Sequence, residues 1–218
     1  VIYGRHVKSL AEYQLLETGL MRSMEHVRSG YGADSLLVQS QTMTLREMTV
    51  SFSREMDELR FLGSDIPQSN MVNRFEREVL GKVSGMRRYV GARLAWHEKC
   101  RNVALKVESL SPEVRGPAKD ILDSARAGFP VVRPADLALP DSLVAEFDSL
   151  LLENGDLAIA WSKFDNDVAM MYSMELVQFF QMKTLDEVSL KSRIPMVFYF
   201  LSIVLLLSTF FFLFRSKI

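Results

Sequence analysis

The chain has 218 residues, 48% of them apolar, and a net charge of −1. This near-neutral balance argues against the whole chain being an electrostatic partner of nucleic acid, and Cys100 as the single cysteine excludes an internal disulfide or a cysteine-based zinc site. The length is sufficient for one domain with a substantial core and one further segment.

The first predicted element is a long helical region over residues 7–62. Apolar side chains recur there every three or four residues, which is typical of one helical face. Ser29-Gly30-Tyr31-Gly32 interrupts the face, and each glycine costs roughly 1 kcal/mol in a helix interior. We therefore expect a kink or short break at this point. The sequence from Gly63 to Pro67 predicts a turn.

The second predicted helix, residues 68–110, carries the most regular pattern of the chain. Its stripe alternates by three and four, as in a coiled-coil seam. The seam comprises Val72, Phe75, Val79, Lys82, Met86, Tyr89, Arg93, Trp96, Cys100, Val103, Val107 and Leu110. We expect the two cationic members either to extend outward along their stems or to meet acidic side chains of the third helix. Gly81, Gly85 and Gly91 indicate close helix packing.

Residues 111–140 form a proline-rich connector, in which only residues 118–127 read as helical before the stop signal at Gly128. The connector is predicted either as a functional loop or as a spacer. A third helix follows over residues 141–190, with a kink expected at Asn154-Gly155. The predicted fold is all-α, with three long kinked helices in an up-down-up bundle over residues 1–192 and a transmembrane anchor with a short basic tail over residues 193–218.

The anchor prediction rests on residues 194–214, which contain no charge. A helix of this length spans about 31 Å, close to the thickness of a bilayer's hydrocarbon core. Lys191 and Arg193 precede it, and Arg215 and Lys217 follow it. The sequence therefore predicts an integral, single-span membrane protein.

Residues that usually carry catalysis are scarce. His97-Glu98 begins a sequence similar to a HExxH zinc motif, but Arg101 stands where the second histidine would be. His97 is predicted to lie on a helix surface and Cys100 to be a buried small side chain. We predict no catalytic residue, no metal site and no cofactor, and an enzyme with a hidden cofactor remains a minor alternative.

The best candidate surface is the basic face of the second helix. Residues 68–110 contain nine Lys and Arg against four Asp and Glu, whereas residues 140–190 contain two against ten. Contact with anionic lipid or a partner protein is one interpretation, and pairing with the acidic third helix is the other. The candidate contacts are Arg74, Arg77, Arg87, Arg88, Lys99, Arg101 and Lys106.

Two stretches resemble a known family: RFEREVLGKVSGMRRYVGARLAWHEKCRNVALKVESL, residues 74–110, and KFDNDVAMMYSMELVQFFQMKTLDEV, residues 163–188. Their placing of aromatic, basic and acidic residues is similar to that in BAR domains, most of all the BAR portion of sorting nexins. The resemblance implies a homodimeric or heterodimeric helical crescent that senses or shapes curved membranes. It would make the basic residues of the second helix candidates for lipid contact.

The functional prediction is a non-enzymatic, membrane-anchored scaffold, an accessory subunit of a larger membrane complex that supports membrane curvature. Its expected partners are other subunits or a second BAR-like chain, bound through the helical seams, and the lipid bilayer, with no nucleic acid. The sequence begins at Val1 and not at Met, so either a leader has been removed or the sequence starts at the first ordered residue. Removal of a leader would suit import into an organelle such as the mitochondrion, and the favoured location is the mitochondrial inner membrane, with other organelle membranes as the alternative. The alternative is a tail-anchored trafficking protein of the SNARE or tether class.

Overall fold

The computed structural model describes residues 2–30, 34–63, 66–165 and 168–215, and within these ranges the chain is all-α, as predicted. The described ranges contain six helices: α1 (Ile2–Arg28), α2 (Ser35–Phe61), α3 (Ser69–Glu108), α4 (Pro112–Arg126), α5 (Asp141–Asp165) and α6 (Val168–Arg215). The predicted three-helix, up-down-up arrangement is not what these helices form.

The first predicted helix is two helices folded back on each other. Near one end of the pair, the ring of His6 lies 3.5 Å from the carboxylate of Glu55. Near the other end, His26 lies 2.7 Å from Asp34. Residue numbers rise along α1 as they fall along α2, so the two helices are antiparallel. Gly30, with φ of 91°, ends α1 in a backbone conformation that favours glycine.

The helical region is therefore broken, and not only kinked, at the interruption that the sequence marks, which agrees with the short break that was one of the two predicted outcomes. Tyr31 and Gly32 of that interruption lie outside the described residues, as do Ser64 and Asp65 of the next predicted turn. The described part of that turn contains Gly63, with φ of 72°.

Helix α3 is the central helix of the molecule, and its predicted seam is confirmed. Ten of the twelve seam residues are buried, and only Lys82 and Leu110 are partly exposed. Around the N-terminal half of α3 lie α1, α2 and α6. Ring contact between Tyr13 and Phe75 (centroids 5.1 Å apart) helps to hold α1 alongside α3.

These four helices alternate in direction. Ser53 donates to Glu76 at 2.6 Å, and Arg87 donates to Thr42 at 3.1 Å, so α2 runs antiparallel to α3. Gln14 donates to Ser173 at 3.1 Å, and further along the pair the rings of Tyr3 and Phe180 lie 6.2 Å apart, so α6 runs antiparallel to α1. The result is an up-down-up-down four-helix arrangement.

Around the C-terminal half of α3 lie α4 and α5. Helix α4 begins at Pro112, earlier than predicted, because proline fits the first turn of a helix where its missing N–H is not needed. Ala118, Leu122 and Ala125 of α4 are buried. Half of the connector is therefore a helix packed into the core, so it is more than a spacer, and its irregular remainder buries Leu137 and Leu139.

The third predicted helix corresponds to α5 and the first half of α6. Asn154 and Gly155 do not end or interrupt α5, which continues to Asp165. Trp161 and Phe164 are buried against Tyr89 of α3, with ring centroids 5.4 and 5.8 Å from it. On α6, Leu176 and Phe180 remain in the core, whereas Met182 and every later apolar residue described up to Leu207 is exposed.

Candidate functional site

The apolar end of α6 is the first candidate site. The large apolar side chains from Ile194 to Leu207 are all exposed. Among the described residues, one helical stretch is long and apolar enough to cross a membrane, and none of its apolar window is buried in the protein. This agrees with the predicted single span. Residues 216–218 of the predicted basic tail lie outside the described residues.

Two serines within this segment satisfy their hydrogen bonds along the helix itself. Ser202 donates to the Phe198 carbonyl at 2.8 Å, and Ser208 donates to the Leu205 carbonyl at 2.9 Å. A hydroxyl bonded in this way does not need water, which suits a hydrocarbon environment. The helix continues through Pro195, which removes one backbone donor near the start of the segment.

The seven basic residues predicted as contacts are all exposed, but most are already engaged. Lys99 donates to Glu153 at 2.7 Å, and Lys106 donates to Glu146 at 2.6 Å. These two lysines therefore pair with α5, in agreement with the alternative interpretation of mutual pairing.

The other five basic residues differ from one another. Arg77 and Arg101 lie 3.5 and 3.9 Å from the carboxylates of Glu78 and Glu98 on their own helix. Arg87 bonds to Thr42 on α2. Arg74 and Arg88 are exposed on α3, Arg88 beside a groove between α3 and α6.

The seven residues also do not form one compact patch. Arg74 and Lys106 are separated by 32 positions of α3, which is about 48 Å along the helix. Charges on a surface act over roughly 8 Å at physiological ionic strength. One flat bilayer therefore meets all seven only if α3 lies along its surface.

Arg93 is the least expected residue of the core. Its side chain is 1% exposed, and it donates to four oxygen atoms on three helices. Its partners are the carbonyls of Arg28, Ala125 and Arg126 and the Oδ1 of Asn154, at 2.7 to 3.2 Å. The predicted acidic partner of the third helix is not there: the α5 partner is an amide.

The carbonyls that Arg93 meets are those at the C-terminal ends of α1 and α4. Such carbonyls lack donors within their own helix, and the helix dipole makes these ends negative. A buried cation is thus satisfied without a carboxylate. The indole of Trp96 adds a cation–π contact, with the guanidinium carbon 4.3 Å from the ring centre.

Lys82, the other cationic seam residue, pairs with Glu17 of α1 at 2.7 Å. The side chain of Glu17 is 1% exposed and that of Lys82 is 12% exposed. The sequence did not single out Glu17. The signal available was its position between Tyr13 and Leu20 on the predicted buried face of α1.

His97 and Cys100 are packed inside the molecule. Cys100 is fully buried as predicted, and burial raises the pKa of its thiol. His97 is half-buried against Gly30 and not on the open surface, which corrects the prediction. Desolvation, followed by the charge of Arg93, lowers the pKa of His97 to about 4.

The predicted reason for the glycines of α3 holds at one of three positions. A methyl group on Gly85 would lie 3.3 Å from the ring of Phe164, whereas Gly81 and Gly91 face open space. Close helix packing thus explains Gly85 alone. Across the described part of the chain, no group of three or more His, Cys, Asp or Glu side chains is placed to hold a metal ion.

The arrangement as a whole offers a rigid helical body joined to an apolar helix. Compared with known proteins, the chain matches no family model, no curated protein and no solved structure.

Proposed function

We propose that the chain is a non-enzymatic scaffold, anchored in a membrane by the end of α6 and acting as an accessory subunit of a larger membrane complex. One observation carries this proposal: the same helix lies in the protein core and supplies the apolar segment. Leu176 and Phe180 are buried among α1, α2 and α3, and the helix continues without interruption to Ile194 and beyond. A helix is a stiff connection, so α6 would hold the bundle at a fixed height above the bilayer.

The partner surface of this scaffold is not the α3 seam. The predicted dimer or subunit contact through that seam would require the bundle to open, since its side chains already fill the core. Exposed surfaces of the bundle are therefore the places where other subunits would bind. Of the basic residues, Arg74 and Arg77 lie nearest the end of the bundle from which the anchor emerges and are the best placed for anionic lipid.

The resemblance to BAR domains remains a prediction. The folding back of α2 on α1 departs from an arrangement of three long helices, while the long α3 with its buried seam agrees with it. The basic residues extend about 48 Å along α3 and do not form one compact lipid-binding face. Support of membrane curvature would therefore come from the shape of the anchored bundles and from their crowding on the membrane. Fractionation of organelles would test the predicted location in the mitochondrial inner membrane.

The proposal is tested with the full-length chain expressed in cells. We expect it to resist alkaline extraction from membranes and to migrate on a blue native gel far above its own 24.9 kDa. Val204→Arg with Leu205→Arg should release it, because each arginine costs about 2.5–3.5 kcal/mol at the centre of a membrane helix. Ser189→Arg, before the apolar segment, is the matched control and should remain anchored. Migration as a free monomer would contradict the scaffold.

A tether is the second candidate, and a groove in the half of the molecule away from the anchor favours it. The connector and α5 form a groove of about 520 Å³, whose lining includes the exposed side chains of Val132, Leu152 and Ile159. A tether needs a binding surface that is remote from its own membrane. Val132→Asp with Ile159→Asp would abolish capture of a partner membrane by a tether, whereas a scaffold whose subunits bind elsewhere would keep its complex.

A further inference from the structure

Phe61 and Leu62 form an exposed apolar tip at the end of α2. Phe61 is 92% exposed, the highest value of any large apolar side chain among the described residues, and Leu62 beside it is 75% exposed. Single exposed apolar residues are common on protein surfaces. Two adjacent ones at the extreme end of a bundle call for an account of their position.

The position of the tip along the bundle follows from His6. Its ring lies 3.5 Å from the Glu55 carboxylate of α2, and its centroid lies 5.2 Å from that of Phe180 on α6. Glu55 and Phe180 are therefore at the same level. Both helices run antiparallel to α1, so from this level α2 and α6 proceed in the same direction.

The remaining lengths place the tip near the start of the apolar segment. From Glu55 to Phe61, α2 rises about 9 Å, and from Phe180 to Ile194, α6 rises about 21 Å. Phe61 thus lies about 12 Å before Ile194, and Leu62 somewhat less. The polar layer of each leaflet occupies roughly 5–8 Å, and membrane helices tilt by about 20° on average. The backbone of the tip therefore lies about 4–7 Å outside this polar layer, and a Phe or Leu side chain that points toward the membrane reaches the headgroups.

The neighbouring part of α6 is also apolar at this height. Leu185 and Val188 are more than half exposed and contribute nothing to the core. The charges there are mixed: Lys191 lies 3.7 Å from Glu187 on α6, and Arg60 of α2 donates to Asp57 at 2.6 Å. Apolar contact, and not net charge, is therefore what this end of the bundle offers.

We propose that the tip, Phe61 and Leu62, inserts into the interfacial layer of the same leaflet that α6 enters. This rests on the proposed function, since it requires the end of α6 to span the bilayer. The occupant of the surface is lipid, in the headgroup layer of the interface, where Phe and Leu side chains of interfacial segments bind. A second contact beside the anchor fixes the rotation of the bundle about α6, which a single span leaves open.

The test uses the full-length chain with Cys100→Ala, so that one introduced cysteine carries an environment-sensitive fluorophore. Three labelled variants are reconstituted in phosphatidylcholine vesicles without quencher, with lipids that bear a nitroxide on the headgroup, or with lipids that bear a nitroxide deep on the acyl chain. Leu62→Cys probes the tip and Leu205→Cys probes the span. Leu105→Cys is the matched control, an exposed leucine near the other end of α3.

We expect the labels at 62 and 205 to shift to the blue, the label at 62 to be quenched by the headgroup nitroxide and the label at 205 by the deep nitroxide, and the label at 105 to show neither effect. If the label at position 205 is quenched while the label at 62 behaves like the control label at 105, the inference about the tip is wrong and the proposed anchor stands. If 205 is not quenched, the proposed anchoring itself fails. A blue shift at 62 without lipid quenching, which grows with protein density, would assign the tip to a second copy of the chain and overturn the inference.

Discussion

The buried guanidinium of Arg93 donates to the carbonyl of Arg28, the last residue of α1, through Nη2 at 2.7 Å and Nε at 3.0 Å. The same Nη2 also bonds to the carbonyls of Ala125 and Arg126 at the end of α4. One side chain of the central helix thus joins the C-terminal ends of two helices that are about one hundred residues apart in sequence. These contacts connect the two halves of the molecule around α3.

Arg93→Met should destabilise the protein by about 2–4 kcal/mol, because the carbonyls at two helix ends lose their donor while they remain buried. Arg93→Lys should cause a smaller loss of stability than Arg93→Met, since an ammonium group keeps the charge but has fewer donors and no planar fork. Urea unfolding of the full chain in detergent, followed by tryptophan fluorescence, measures this. Arg88→Met on the exposed side of α3 is the control and should change stability by less than about 0.5 kcal/mol. Equal effects at the two positions would contradict this role of Arg93.

Gly81→Ala and Gly91→Ala should each stabilise the protein by about 0.5–1 kcal/mol, because both positions are inside α3 with open space where a methyl group would be. Gly85→Ala should stabilise the protein less than these two substitutions, or destabilise it, since its methyl group would lie 3.3 Å from the Phe164 ring. The same urea unfolding measures all three variants. A gain at 85 equal to that at 81 would show that Phe164 moves aside freely.

Lys82→Met should cost about 3 kcal/mol, because it leaves the carboxylate of Glu17 buried without its 2.7 Å cation. Combining it with Glu17→Met should recover much of the loss, since apolar residues of similar volume often replace a buried ion pair without penalty. A double-mutant cycle of unfolding free energies gives the coupling between the two residues. Additive effects would mean that the pair contributes no coupling.

Lowering the pH from about 6.5 to about 4 should weaken the fold through His97. The pKa of His97 is lowered to about 4 in the folded protein, so in this window the unfolded chain binds more protons. Stability is therefore full above the ordinary histidine pKa of about 6.5 and is lost as the pH falls toward 4, by at most about 3 kcal/mol for this residue. His6, whose pKa is lowered chiefly by burial, acts in the same direction.

The pH effect is measured by unfolding titrations at several pH values for the parent chain and for His97→Gln. The variant should show a shallower loss of stability between pH 6.5 and 4, and adding His6→Gln should flatten it further. An unchanged slope in His97→Gln would contradict the assignment.

Much of the fold follows from local patterns. The seam of α3 predicted its buried face correctly from Val72 to Val107, because a helix that places an apolar residue every three or four positions must bury that side. The pattern was less informative at helix ends. Leu37, an apolar residue in the first predicted helical region, is exposed, because it lies in the first turn of α2 beside the reversal.

The basic face shows why charge counts alone do not identify a contact surface. The excess of basic residues in α3 and of acidic residues in α5 correctly suggested pairing for Lys99 and Lys106. It did not predict that Lys82 would pair with α1, since the partner of a long side chain depends on which helix lies beside it. The sequence alone does not contain that neighbour relationship.

The sequence by itself determined that the chain is helical, that α3 has one buried side and that residues 194–214 are apolar enough to span a bilayer. These properties depend on composition and on periodicity within one helix. The tertiary structure alone decided that α1 and α2 fold back on each other, that Arg93 caps two helix ends, and that Phe61 and Leu62 lie near the level at which α6 leaves the bundle. Such relationships join residues distant in sequence, and they are fixed by how whole helices pack and not by the local preferences of any one of them.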